Sequence, residues 1–146
     1  MATAKVSSAP PITKSILKLA RQIDATSTLD FVKVEPGEEC LPDCCFQNVT
    51  TMIKRHGGSV QHGWRIREQA MAYVEGEFYA VWRRRDGALI DVTPRADESG
   101  EILFLADSRM VWTGEPVVPR RLMLNLQPCY CASGLPFKIC HGLTDD

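Results

Sequence analysis

Apolar residues recur at Ile12, Ile16, Leu19, Ala20 and Ile23, with Lys14, Lys18 and Arg21 outside that stripe. The spacing is that of one helix face and predicts an amphipathic helix lying on a core. Phe46, Val49, Thr50 and Ile53 share a second helical face, preceded by Pro42-Asp43 and followed by Gly57-Gly58. Asp43 offers a cap, the glycines a stop, and Cys44 and Cys45 then fall in the first turn. Beyond this the period shortens to two. Residues 60–66, 71–83, 88–93 and 102–106 read as strands, and in "EFYAVW" Phe78, Ala80 and Trp82 face one way, Tyr79 and Val81 the other. Asp86-Gly87 marks a hairpin and Pro94 closes the strand after it. Helices followed by antiparallel strands, without βαβ alternation, predict an α+β fold with helices packed on an antiparallel sheet. Residues 1–11 read as a flexible leader, 12–115 as the body, 116–127 as a linker holding Pro116 and Pro119, and 128–146 as a separate cysteine-bearing element.

Composition narrows the function. The 146 residues are 45% hydrophobic and 24% charged, which suits a globular protein. A formal net charge of -1 argues against nucleic acid as a direct partner, despite Arg120, Arg121 and Lys138 near the tail. No apolar run approaches the roughly 20 residues that span a bilayer. The start "MATAKVSSAPPITK" lacks the apolar core of a secretory signal, so the expected location is cytoplasmic, with no membrane partner. In a reducing compartment the 6 cysteines are expected as metal ligands or reactive thiols rather than disulfides.

The stretch "PCYCASGLPFKICHG" carries the most specific chemistry. Its Cys-x-Cys-x8-Cys-His spacing supplies the four soft or borderline ligands that a closed tetrahedral zinc site needs. So short a segment cannot build a core, and metal binding would provide most of its folding energy. These residues resemble the SEC-C motif, the zinc element also found at the C-terminal end of the SecA translocation ATPase. Ser133-Gly134, Phe137-Lys138 and Cys140-His141 fit its pattern, whereas Ala132 stands where that family usually has glycine. The resemblance implies one zinc per chain on Cys129, Cys131, Cys140 and His141, and a docking role toward a protein or ribosomal partner.

The body raises a different expectation. A thiol enzyme needs a thiolate, an imidazole within reach and a group to orient it. Cys45 opening a helix, then "EFYAVW", then "LIDVTP", resembles the order in papain-like and transglutaminase-like folds. The run from about residue 40 to 115 is also similar to an uncharacterised bacterial domain whose second block reads Phe-His-x-Val-Trp. That resemblance implies a triad at Cys45, position 79 and Asp91. Here position 79 is tyrosine, a poor base near neutral pH. His56 lies about 16 Å along the helix from Cys45 at 1.5 Å per residue, His62 begins a strand, and His141 belongs to the zinc set. A three-residue loop at Arg85-Asp86-Gly87 would pair Tyr79 with Thr93 and set Tyr79 and Asp91 on one face; a two-residue loop would separate them. The resulting expectation is a degenerate cysteine-enzyme-like body joined to a SEC-C docking tail, with no catalysis. The alternative is an active cysteine amidase or transferase using Cys45, with His62 or a partner supplying the base.

Overall fold

The computed structural model describes residues 12–69, 72–95 and 100–124. The leader 1–11 and the four tail ligands lie outside the described residues.

The first helix, α1, spans Lys14–Ile23 and is capped by Thr13, whose hydroxyl accepts from the Ile16 N–H at 3.2 Å. It buries Ile16, Leu19, Ala20 and Ile23. Strand β1, Leu29–Val34, follows, and then α2, Cys45–His56. Asp43 does not cap α2. It sits at φ 60, in the left-handed region, and Cys44 takes the cap position without a side-chain hydrogen bond. The buried face of α2 is Cys45, Asn48, Val49 and Met52. Thr50, expected on that face, is exposed and bonds back to the Phe46 carbonyl at 3.0 Å.

Strands β2 (Ser59–Gln69), β3 (Tyr73–Arg83), β4 (Leu89–Asp91), β5 (Glu101–Ala106) and β6 (Arg120–Met123) complete the described fold. Pairings run β2 to β3, β3 to β4, β4 to β1, β1 to β5 and β5 back to β2, which closes a ring of five strands. This overturns the expected α+β architecture of helices on an antiparallel sheet, and with it the papain-like or transglutaminase-like fold. The protein is mostly β: a closed five-stranded barrel with two helices against it. The physical reason is β1. It inserts between β4 and β5, parallel to the first and antiparallel to the second, and so joins the edges an open sheet would leave free. Residues 120–123, expected within a linker, instead pair with β3 as β6.

Register fixes what lines the barrel. On β2 and β3, Gln61, Gly63, Arg65 and Arg67 oppose Val81, Tyr79, Glu77 and Glu75. These alternate positions face inward with Val32, Ile102, Phe104 and Asp91. Val81 and Phe104 are fully buried there. Opposite Tyr79, a Cβ on Gly63 would lie 2.5 Å from the Phe104 ring and 2.3 Å from the Leu105 carbonyl. Glycine is therefore needed for two aromatic rings to share so narrow an interior. One end of the barrel is sealed by Gln61, which accepts from Arg83 at 2.5 Å and donates to Ser108 at 3.3 Å. The outward residues form two further apolar layers. Trp64, Ile66, Val74, Phe78, Leu103 and Leu105 lie under α1, and Ala80, Ile90 and Val92 lie under α2.

The β3–β4 hairpin turns through Arg85-Asp86-Gly87. Arg84 N–H donates to Ala88 O at 2.8 Å, and Gly87 holds φ 91, a left-handed conformation suited to glycine. Trp82 pairs with Ile90 and Arg83 with Leu89, a register that carries on to set Val81 beside Asp91 and Tyr79 beside Thr93. On this edge β3 pairs with β6 from Tyr73 to Gly76 and with β4 only from Trp82 onward. Among the described residues, no strand covers the segment between.

Candidate functional site

That gap in the barrel wall is where the N-terminus of α2 comes down, and it opens into a pocket of about 350 Å³. Cys45, Arg65, Arg67, Glu77, Tyr79 and Arg95 supply its chemistry. The volume lies at the lower end of the range for small-molecule sites.

Tyr79 lines the pocket and rests on Asp91 beneath it. The Tyr79 hydroxyl donates to both Asp91 oxygens, at 2.9 and 3.1 Å, and accepts from Arg95 at 3.1 Å. Asp91, fully buried, also accepts from the Thr93 N–H at 3.2 Å and from Arg95 at 3.2 Å. Asn48 of α2 donates to the Thr93 hydroxyl at 3.0 Å and brackets the Leu41 backbone, tying helix, loop and strand together. Burial pushes the Asp91 carboxyl above its ordinary value, against the pull of these donors. Burial and then the Asp91 charge push the Tyr79 phenol well above its ordinary value. At any physiological pH Tyr79 is a protonated donor with no basic character.

Cys45 occupies the first position of α2, where helix N–H groups ordinarily favour a thiolate. Burial wins here. It pushes the thiol up to about 11; hydrogen bonds from the Ala80 and Phe46 backbones oppose the shift, and the charges of Glu77 and Asp91 add to it. The structure thus brings Cys45 and Tyr79 to one pocket, with Asp91 beneath.

Among the described residues, no histidine lines the pocket. His62 points outward from β2, stacked on Phe78 with ring centroids 5.8 Å apart, and its Nε2 accepts from the Trp112 N–H at 3.3 Å. His56 lies against Trp82, 6.0 Å between centroids. Cys40 is buried beside Met52. Among the described residues, no group of three or more histidine, cysteine or acidic side chains is placed to hold a metal.

The arginines are the part of the site that sequence reading missed. Arg65 and Arg67 alternate on β2 with outward Trp64 and Ile66, so the inward positions of this strand carry charge. The signal was present in "WRIRE", where strict alternation puts charged residues on one face of a strand whose other face is apolar. Which face the core would claim became legible only once the ring was closed.

A family model for the SEC-C motif matches residues 127–143, a span that contains Cys129, Cys131, Cys140 and His141. No curated protein and no solved structure matches the chain. No helix among the described residues is long and apolar enough to cross a membrane.

Proposed function

We propose that this is a zinc-binding protein that acts by binding rather than by catalysis, its SEC-C tail docking on a protein or ribosomal partner. The observation that carries the reading is the SEC-C match over residues 127–143. Three thiolates and one imidazole, from Cys129, Cys131, Cys140 and His141, make a donor set that suits tetrahedral zinc. The metal would fold the tail by joining its two pairs of ligands, with no chemistry asked of it. The barrel supports the non-catalytic side of the reading. Cys45 is held as a thiol, Tyr79 is committed to Asp91, and among the described residues no imidazole lines their pocket.

The test joins metal analysis to partner binding. Protein purified without added metal is expected to hold about one zinc per chain, and Cys140→Ser to lose it. Wild type and Cys140→Ser are then compared for co-sedimentation with ribosomes and for co-purifying proteins. A variant that lacks zinc yet keeps every partner of the wild type would overturn the docking reading. Full-length protein that binds no zinc would overturn the metal assignment.

A further inference from the structure

Strands β2, β3 and β6 run beyond the barrel wall as a three-stranded lip, because β5 leaves β2 at Ile66 while β3 pairs with β2 as far as Gln69 and with β6 as far as Met123. The chain leaves the barrel from the end of this lip. Leu124 is 9% exposed in the apolar layer under α1, and its N–H donates to the Ala72 carbonyl at 2.9 Å. The SEC-C match begins at residue 127. Asn125 and Leu126 alone separate the anchored Leu124 from the matched span, in place of the expected linker 116–127. At about 3.6 Å per residue at most, Gln127 lies within about 11 Å of Leu124 and Cys129 within about 18 Å. So short a tether gives the tail an effective concentration on the order of millimolar or higher at the lip, and a contact of about millimolar strength suffices to hold it there.

The two sides of the lip differ. Val74 and Leu122 pair on the side that packs under α1. Tyr73 and Met123 pair on the other side, with Gln69 next to Tyr73 on β2. Met123 is 65% exposed, and Gln69 is exposed beside it. The Arg121 guanidinium stacks 4.5 Å from the Tyr73 ring centre and is fixed by Glu75 at 2.7 Å, so the ring is held in place. A thioether beside a fixed aromatic ring makes an adaptable apolar seat. Within the SEC-C span Leu135, Phe137 and Ile139 are apolar and stand outside the ligand set.

We propose that the SEC-C tail, residues 127–143, seats on this lip of its own barrel, with its apolar residues against Tyr73 and Met123. The seat rests on the zinc-folded tail proposed above and adds its place on the body. It fixes the orientation in which the tail meets a partner.

The test is hydrogen exchange of the full-length chain, read by mass spectrometry before and after chelation. Zinc-loaded protein should protect residues 72–76 and 120–126, and chelation should speed their exchange several-fold. Met123→Glu should have the same effect in zinc-loaded protein, while elemental analysis still finds about one zinc per chain. After chelation Met123→Glu should change exchange no further, a cycle that separates loss of the seat from damage to β6 itself. Zinc that binds while exchange in these segments is indifferent to chelation would overturn the seat and leave the metal reading standing. Met123→Glu without effect in zinc-loaded protein would reject the seat too, because the tail would then lie elsewhere. An equal effect of that variant with and without zinc would reject it as well. A chain that takes up no zinc would remove both the metal reading and the seat.

Discussion

The Tyr79 hydroxyl donates a forked hydrogen bond to the two carboxylate oxygens of Asp91, at 2.9 and 3.1 Å, between neighbouring strands of a closed barrel. Tyr79 is 3% exposed and Asp91 fully buried, so neither can exchange its partner for water. The pair keeps an ionisable acid inside a narrow interior by surrounding it with donors, and Arg95 supplies the countercharge at 3.2 Å. That arrangement holds β3 to the loop after β4 on the edge where their backbone pairing has stopped.

Tyr79→Phe should therefore destabilise the barrel. It removes the strongest neutral donor from a buried carboxylate and leaves the ring volume nearly unchanged. The expected loss is about 1–3 kcal/mol, the cost of leaving a buried polar group short of a partner. Urea denaturation should show a lower midpoint with an unchanged slope. A midpoint equal to wild type would mean that Arg95 and Thr93 suffice for Asp91, and would sink this account.

How much of this was readable beforehand can be followed along β3. Its alternation showed that Tyr79 and Val81 share one face, and the Asp86-Gly87 signal placed the hairpin. The three-residue loop that joins Tyr79 and Asp91 was one of two geometries that signal allowed. Local pattern did not reach the closure of the sheet. β1 is six residues whose burial hardly alternates, and its partners lie 57 and more residues away. Strand β4 was legible within 88–93 from its hairpin signal, whereas β6, with only 4 residues, is too short for a periodic signal. The helix N-terminus at Cys45 was legible, but not its effect. Thiol acidity there depends on burial against β3, and burial follows from the ring.

A second acid in the fold behaves in the opposite way to Asp91. Asp107 accepts from Trp64 Nε1 at 3.0 Å and from Arg109 at 2.9, 3.0 and 3.1 Å, counting its guanidinium and its backbone N–H. These bonds, led by the Arg109 side chain, hold its carboxyl at about 2 against an ordinary 3.8. The folded state thus prefers the charged form, and the resulting stability is present above pH 3.8 and lost as pH falls toward 2. Because Arg109 is 61% exposed along its side chain, its ion pair is screened, and the Trp64 bond should dominate. Asp107→Asn is expected to cost about 1–2 kcal/mol at neutral pH. The gap to wild type should close between about pH 4 and 2 in thermal melts. A gap that persists undiminished at pH 2 would rule out this source of acid sensitivity.

His62 acts with the same sign in a higher pH window. Burial lowers its pKa from 6.5, so the folded state disfavours the proton that the unfolded chain accepts. Stability should be complete above pH 6.5 and decline as pH falls from there toward the lowered folded value. The structural cause is clear: Nε2 accepts from the Trp112 N–H, and protonation would set donor against donor. Trp112 also stacks on Phe46 at 4.6 Å, so its fluorescence reports the loss directly. Mild acidification should change that signal in the wild type and in Trp64→Phe, but not in Trp112→Phe. A pH-independent spectrum from pH 7 to 5 would count against the linkage.

Cys45 gives the most direct measure of whether the barrel mouth is chemically quiet. A helix N-terminus with an unshielded thiol would lower its pKa and speed alkylation. Here the thiol is buried against the Ala80 backbone and pushed from 9.0 to about 11, with Glu77 and Asp91 contributing negative charge. A rise of about two units cuts the thiolate fraction at neutral pH by on the order of 100-fold. Iodoacetamide should therefore modify Cys45 far more slowly than a free cysteine at pH 7, and the rate should still be climbing at pH 9.5. Glu77→Gln should raise the rate modestly by removing a neighbouring negative charge. Tyr79→His tests the same balance with an imidazole added. If that imidazole becomes protonated in the pocket, Cys45 should alkylate faster, and its rate profile should shift to lower pH. Peptide mapping after timed labelling separates Cys45 from Cys44, which is only half-buried at the cap position. Rapid labelling of wild-type Cys45 at pH 7 would show a thiolate already formed, and the non-catalytic reading of the barrel would fall with it.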